Sequence, residues 1–391
     1  MSIFEQLRPF VSLCQACGMM PFTIEPNLIT NKFEKFTFSF RHFTTWWFFL
    51  VLFVLQPAFF FVMRNMTKDA PTDLLYGQDM PITVHMMLFV SAIGTLVELV
   101  LSRWIVLQYR KLRYAIEAVQ EVEQLLGKKF ISQHQSSVTA RFVIGFILAI
   151  SVSVGCVIAN EPAYEELFPK NVNVFLMTFM YFVLVLLFVL FQCTYLLFYM
   201  CYYVIAHYVQ LLLHPDVKER RIISLNAKES GDVMRRNVLI FDYLCRASQE
   251  LNGVFSIPIL ILLTSKFMSV VAFAFAYIYN KFIHYDDMLE NHSMMFASMF
   301  FVYWIQILVL LTAADMPANQ VVRLLRERAT AISSSGLSQS LDGKLLAMTS
   351  LIQIDEKRVR LSAAGLFEVG VHLIPALAGA VVTYMVILLD T

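Results

Sequence analysis

Charge is scarce in this chain. Of 391 residues, 15% are Asp, Glu, Lys or Arg, against roughly 25% in soluble domains. Cysteine is sparse and scattered, as Cys14, Cys17, Cys156, Cys193, Cys201 and Cys245. None falls in a loop read as external, which excludes a disulfide framework. Cys14 and Cys17 form a lone CxxC without a second pair, so no metal site is expected. There is no Ser/His/Asp arrangement, no Gly-rich phosphate loop and no paired set of metal ligands. The expectation is therefore no catalytic residue, no cofactor and no enzyme. The segment from Met1 to Thr45 lacks the basic start and long apolar core of a signal peptide. Pro9, Pro21 and Pro26 break it. It reads as a cytoplasmic lead-in with one short amphipathic helix near Ile3 to Cys14.

What fills the chain instead is apolar. Hydrophobic residues make up 58%, with 35 Phe. Several apolar runs exceed ~18 residues, enough for a membrane helix. The expected fold is all-α: a polytopic membrane protein with seven transmembrane helices. The spans fall near Trp46 to Met63, Met80 to Leu107, Ala140 to Ala159, Asn171 to Leu213, Val254 to Tyr279, Met294 to Ala313, and the C-terminal stretch. The fourth run, of ~43 residues, makes ~65 Å of helix, about twice the bilayer core. No Gly, Pro or Asn lies between Phe175 and His214 to turn it. One long helix projecting beyond the membrane is expected.

Lys and Arg set the orientation. The N-terminal segment and the loops after the second, fourth and sixth spans hold 23 of them, among them Arg110, Arg235, Arg323 and Arg360. The other loops hold Arg64, Lys68, Lys170 and Lys281. The basic residues are thus a topology signal and not a nucleic-acid surface. The topology is inverted relative to a G-protein-coupled receptor, with the N-terminus cytoplasmic and the C-terminus extracellular. Two glycosylation sequons, at Asn65 and Asn291, fall in loops placed outside. The long inner loops are helical in pattern, as in Leu112 to Phe130, and suggest a packed cytoplasmic collar.

The last stretch, Leu361 to Thr391, is divided by Pro375. A proline inside a helix removes a backbone bond and kinks it. The ~14 apolar residues after it span ~21 Å, so residues before Pro375 are needed to cross. At ~100° per residue, Ala376, Gly379, Ala380, Thr383, Ile387 and Asp390 share one small, weakly polar face. Such a face suits a bundle around a water-filled path, or ordinary close packing through small residues.

Two ionisable residues lie deep in spans. Lys266 is ~20 Å along the fifth, and Glu98 is ~15 Å from the inner end of the second. Buried charges in membranes pair or line water, and these depths permit a pair, which would either fix packing or serve ligand binding and gating. His85, Tyr181, Tyr277, Tyr303 and Trp304 occupy outer or middle parts of their spans. Aromatics with a polar tip suit sugars or small bitter organics.

Thr383-Tyr384-Met385-Val386-Ile387-Leu388-Leu389 resembles the C-terminal signature of the insect gustatory receptor family, related to insect odorant receptors. That signature is roughly Thr-Tyr, a few aliphatics, then Gln-Phe, and Asp390-Thr391 departs from its ending. Ala363-Ala364-Gly365-Leu366-Phe367, Gly379-Ala380 and Leu251 to Leu260 also resemble the family. The resemblance implies a ligand-gated, non-selective cation channel in the plasma membrane. It implies a tetramer, homomeric or with a related receptor, whose central pore is lined by the last helix. A small-molecule tastant would be the ligand, and sodium, potassium and calcium the permeants. Ile387 would take the gate position, and Asp390 the place of the pore-lining Gln. The implied organisation is a cytoplasmic segment over 1–45, a six-helix bundle with ligand pocket over 46–313, an anchor and first part of the last helix over 314–374, and a pore-lining helix over 375–391. A secondary transporter is a competing reading, but no internal repeat with broken helices is visible. A G-protein-coupled receptor is opposed by the charge asymmetry.

Overall fold

The structure, a computed structural model, describes residues 11–26, 33–57, 94, 101–127, 136–159, 174–212, 227–281, 290–334 and 352–390, a few positions within these ranges excepted. Long helices dominate. In chain order they are α1 (Phe43–Leu50), α2 (Tyr109–Leu126), α3 (Ser136–Ala159), α4 (Val174–Leu211), α5 (Ala227–Ile278), α6 (Glu290–Ser334) and α7 (Ile374–Asp390). Two small antiparallel hairpins join them: β1 (Thr23–Pro26) with β2 (Phe33–Thr37), and β3 (Ser362–Ala363) with β4 (Phe367–Glu368). Most of the expected second span, and most of the expected helix near Ile3 to Cys14, lie outside the described residues.

The fourth run is one helix, as its lack of turn residues implies; α4 has 38 residues, or ~57 Å. The fifth and sixth spans also extend far beyond the expected bounds. Helix α5 has 52 residues and passes through Pro258, and α6 has 45 and passes through Pro317. Their basic ends are not loops. Arg235, Arg236, Arg323 and Arg326 ride on helices that outrun the apolar window, and their side chains are exposed. Helices α5, α6 and the stretch Val371–Leu389 are each long and apolar enough to cross a membrane. Along α3, Val143, Ile144, Ile147 and Leu148 are all exposed. A patch of that kind is a liability in water and the normal surface of a helix in lipid.

A large buried core lies at the basic end of the bundle. Tyr202 and Tyr208 of α4 and Ile240 and Phe241 of α5 are completely buried there. Helix α2 packs onto it with Leu112, Ala115, Val119 and Val122, three and four residues apart and so on one face. Lys111 Nζ donates to the Gly253 carbonyl of α5 at 3.2 Å, and Tyr208 donates to Glu123 Oε1 at 2.7 Å. Gly127, at φ +83°, ends α2, a conformation glycine adopts without steric cost.

The approach to the last helix differs from expectation. Residues before Pro375 do not form a helix that the proline kinks. They form the β3–β4 hairpin, then a tight turn at Val371–Leu373 that runs into α7. Ala364 and Gly365 both have positive φ in the hairpin turn, and the Leu366 amide donates to the Ala363 carbonyl at 2.9 Å. Pro375 sits in the first turn of α7, where no helical donor is required and proline is tolerated. The helical stretch Val371–Leu389 is 19 residues, or ~28 Å, enough to cross. The second sequon also differs: Asn291 and Ser293 lie in the first turn of α6 rather than in a loop, and Ser293 is buried. The Asn65 sequon lies outside the described residues.

Candidate functional site: a buried lysine, its aromatic neighbours and the last helix

Lys266 is 2% exposed on α5. Its Nζ lies 4.0 Å from the centroid of the Tyr303 ring of α6 and 6.0 Å from that of Tyr195 of α4. A cation over a ring face is attracted by the ring quadrupole, by about 2 kcal/mol when desolvated. Three helices thus converge on one ammonium group. Phe273, two turns further along α5, packs on Tyr303 with centroids 5.5 Å apart. Gln306 lies one turn from Tyr303 on the same face of α6. It is 4% exposed, and among the described residues its side-chain carbonyl oxygen has no hydrogen-bond partner. A buried acceptor without a donor is costly, so this is a place where a polar group is favoured. Tyr195 also lines a small apolar cleft with Phe198, Phe255, Pro258, Leu262 and Leu310 among others.

Of the residues expected to meet ligand, the structure brings Tyr303 to Lys266. Trp304 is half-buried against the main core. Tyr277 belongs to a separate cluster with Phe275, Phe296 and Met385 of α7. Tyr181 is half-buried on α4, about 21 Å of helix away from Tyr195. His85 and Glu98 lie outside the described residues, and with them the expected charge pair. Sequence reasoning missed Tyr195 and Gln306. Gln306 carried a signal, as a polar residue inside the apolar run of the sixth span; Tyr195 was one of many aromatics in α4.

Helix α7 packs on one face only. Leu377, Val381, Met385 and Leu388 contact α5 and α6 residues, and their spacing makes a single stripe. The face carrying Gly379, Thr383 and Ile387 lies on the opposite side, about 160° around the helix at ~100° per residue. Gly379 and Thr383 are exposed, Ile387 is 51% exposed, and Ala380 is half-exposed at the margin. The Thr383 hydroxyl donates back to the Gly379 carbonyl at 2.9 Å, so within this chain it is satisfied without a partner from outside. The helix ends at Asp390, whose side chain lies outside the described residues.

The segment leading to α7 is tied down by polar contacts. Arg358 pairs with Asp242 of α5 at 2.8 Å. Arg360 bridges Glu356 at 2.7 Å and Glu368 at 2.6 Å, and the bond to Glu368 raises its already high pKa further. Ser248 donates to the Val359 carbonyl, and Asn252 to that of Arg360.

These features define a multi-pass helical membrane protein with a buried polar site inside its bundle and a final helix left largely bare. The chain matches the 7tm Chemosensory receptor family model over residues 7–390 and belongs to that family. The family is one of receptors, and the chain is not an enzyme. The fold is shared with the insect olfactory receptor OR5 from Machilis hrabei, at TM-score 0.67 and 13% identity, covering 99% of this chain and 98% of that one. The same receptor in complex with eugenol aligns at TM-score 0.65 and 11% identity over the same shares of the two chains. No curated protein matches in sequence.

Proposed function

We propose that the protein is a gustatory-type chemoreceptor of the plasma membrane, a ligand-gated non-selective cation channel opened by a small organic tastant such as a sugar or bitter compound. The observation that carries this reading is α7. Its small, weakly polar face points directly away from its own bundle, and a lone chain leaves it uncovered. Four copies arranged about an axis, as homotetramer or with a related receptor, would bring these faces together around a water path for sodium, potassium and calcium. Gly379, Ala380 and Thr383 line the path. Ile387 forms a hydrophobic gate that blocks ions by dewetting, and Asp390 sets cation preference at the outer mouth.

In this reading the basic end of the bundle is cytoplasmic, as the positive-inside rule requires. Residues 1–45 are a cytoplasmic segment, 46–313 the ligand-binding bundle, 314–374 the anchor and approach to the last helix, and 375–391 the pore helix. The ligand enters the bundle near Lys266, Tyr303 and the orphaned carbonyl of Gln306, with Trp304, Tyr277, Tyr181 and His85 as further candidate contacts. Eugenol in the Machilis hrabei receptor supports a small organic ligand here. Whole-cell recording from cells expressing the full chain, with a panel of sugars and bitter compounds and no added G protein, tests the reading. A ligand-evoked cation current is expected. Signalling that depends on an added G protein, or solute uptake without current, would overturn it.

A further inference from the structure

The turn that opens the last helix has no cap of its own. Gly370 stands at its N-cap position and offers no side chain, so the first amides of the turn need an acceptor from elsewhere. Asp315 of α6 supplies one. Its Oδ2 accepts the Val371 amide at 2.7 Å. The carboxylate lies folded over Gly370, which is buried: a Cβ there would fall 2.8 Å from Asp315 Cγ and 2.9 Å from Oδ2. Gly370 has extended backbone at φ −178°, open to any residue, so what glycine gives here is room: a Cβ would displace the Asp315 carboxylate. The carboxylate also sits where the helix dipole favours negative charge. Asp315 lies two residues before Pro317, which cannot donate to the Ala313 carbonyl and weakens α6 locally.

We propose that Asp315 is a positioning residue that clamps the start of the last helix to the sixth span and couples the two. Tyr303 lies twelve residues earlier on the same unbroken helix, about 18 Å away. A shift of α6 at the Lys266 site is thereby passed to Val371 and the helix it opens. The clamp is a contact within the chain; its role in gating rests on the channel reading.

The test uses the full chain and the variants Asp315→Ala, Gly370→Ala, their double, and Asp315→Asn. Asparagine keeps an acceptor oxygen, and alanine does not. The first readout is amide exchange by mass spectrometry in the 366–377 segment of the purified protein. Asp315→Ala and Gly370→Ala should each speed exchange there about tenfold, the factor that corresponds to ~1.4 kcal/mol. Asp315→Asn should stay within about threefold of the parent. The double should be no faster than either single, because both changes break one bond. The second readout is ligand-free sodium current per channel at the surface. The two alanine variants should shift it about tenfold in the same direction, with Asp315→Asn near the parent. Unchanged exchange in Asp315→Ala, or a Gly370→Ala effect that persists in full beside Asp315→Ala, would overturn the clamp. Faster exchange with unchanged current would overturn the coupling. A parent chain that carries no current removes the channel reading and not the clamp, which the exchange measurement decides alone.

Discussion

Replacing Tyr303 by leucine strips the ring face from a buried cation while keeping an apolar side chain of moderate size. Lys266 Nζ sits 4.0 Å from that face, and its other described ring neighbour, Tyr195, is at 6.0 Å, the outer limit of an effective cation–π contact. At 2% exposure Lys266 has almost no water to compensate. The loss should therefore fall at the desolvated end of the range, about 2 kcal/mol. For a chain of this size an unfolding entropy near 2.1 cal/mol/K per residue turns that into a drop of roughly 2–3 °C in melting temperature. Tyr303→Phe keeps the face and loses only the hydroxyl, so it should recover most of the stability. The assay is thermal unfolding in detergent of both variants, each with and without Lys266→Met. In the Lys266→Met background, which removes the cation, the difference between Leu and Phe should shrink by about 1–2 kcal/mol. Equal behaviour of Leu and Phe beside an intact Lys266, or a difference that survives Lys266→Met unchanged, would show that the ring serves packing alone.

Ile387→Ala should hydrate the proposed constriction and raise ligand-free current several-fold, read by whole-cell recording; an unchanged basal current places the gate elsewhere. Asp390→Asn should lower calcium permeability relative to sodium, and Asp390→Lys should cut cation conductance much further; normal ratios in both would put the acid off the ion path. Arg360→Lys should lose one of the two carboxylate bonds, since an ammonium cannot match the guanidinium fork. With partners at 28% and 49% side-chain exposure, the cost should be modest, about 1 kcal/mol, and should shrink as salt rises.

Part of this fold was legible because it depends on local pattern. Helix α2 follows from Leu112, Ala115, Val119 and Val122 at helical spacing. Helix α4 follows from forty residues without a turn former. The extensions of α5 and α6 were hidden, because hydropathy marks only the part of a helix that lipid touches. Arg235, Arg236 and Asp242 look like loop residues until they prove to be the watered end of the same helix. The β3–β4 hairpin was hidden for the opposite reason. Ala363, Ala364 and Leu366 are good helix formers, and besides the single Gly365, at positive φ in the turn, it is tertiary contacts such as the Ala364 amide on the Ser256 carbonyl at 3.2 Å that oppose helix there. At the site, Lys266 and Tyr303 stood out as a charge and a polar aromatic inside spans. Their meeting with Tyr195 depends on how three helices register, which no periodicity encodes. Asp315 and the Val371 amide it accepts are 56 positions apart in sequence, and neither residue type announces its partner.

The position of α7 depends unusually on such polar contacts. In water, the stripe of Leu377, Val381, Met385 and Leu388 would hold the helix to its bundle by the hydrophobic effect, at ~1.5–3 kcal/mol per buried side chain. In a bilayer that drive is absent, because lipid chains are as apolar as leucine. What remains is dispersion along one narrow stripe, with Met385, 8% exposed, the most buried of the described α7 side chains. The backbone bond from Val371 to Asp315, the Arg360 bridge to Glu356 and Glu368, and the Asn252 bond to the Arg360 carbonyl are therefore large terms in a small total. All lie at the start of the helix. Its far half is held by packing instead: Met385 and Leu388 sit against a cluster with Phe275 and Phe296, and the Tyr384 ring lies 6.1 Å from that of Phe267, while Val382, Val386, Ile387 and Leu389 stay exposed. Polar bonds have strict geometry and apolar packing does not, so small changes at the polar start can shift the helix along its apolar stripe. In the proposed channel reading that is the freedom a gating helix needs, and it follows from where the polar contacts stop.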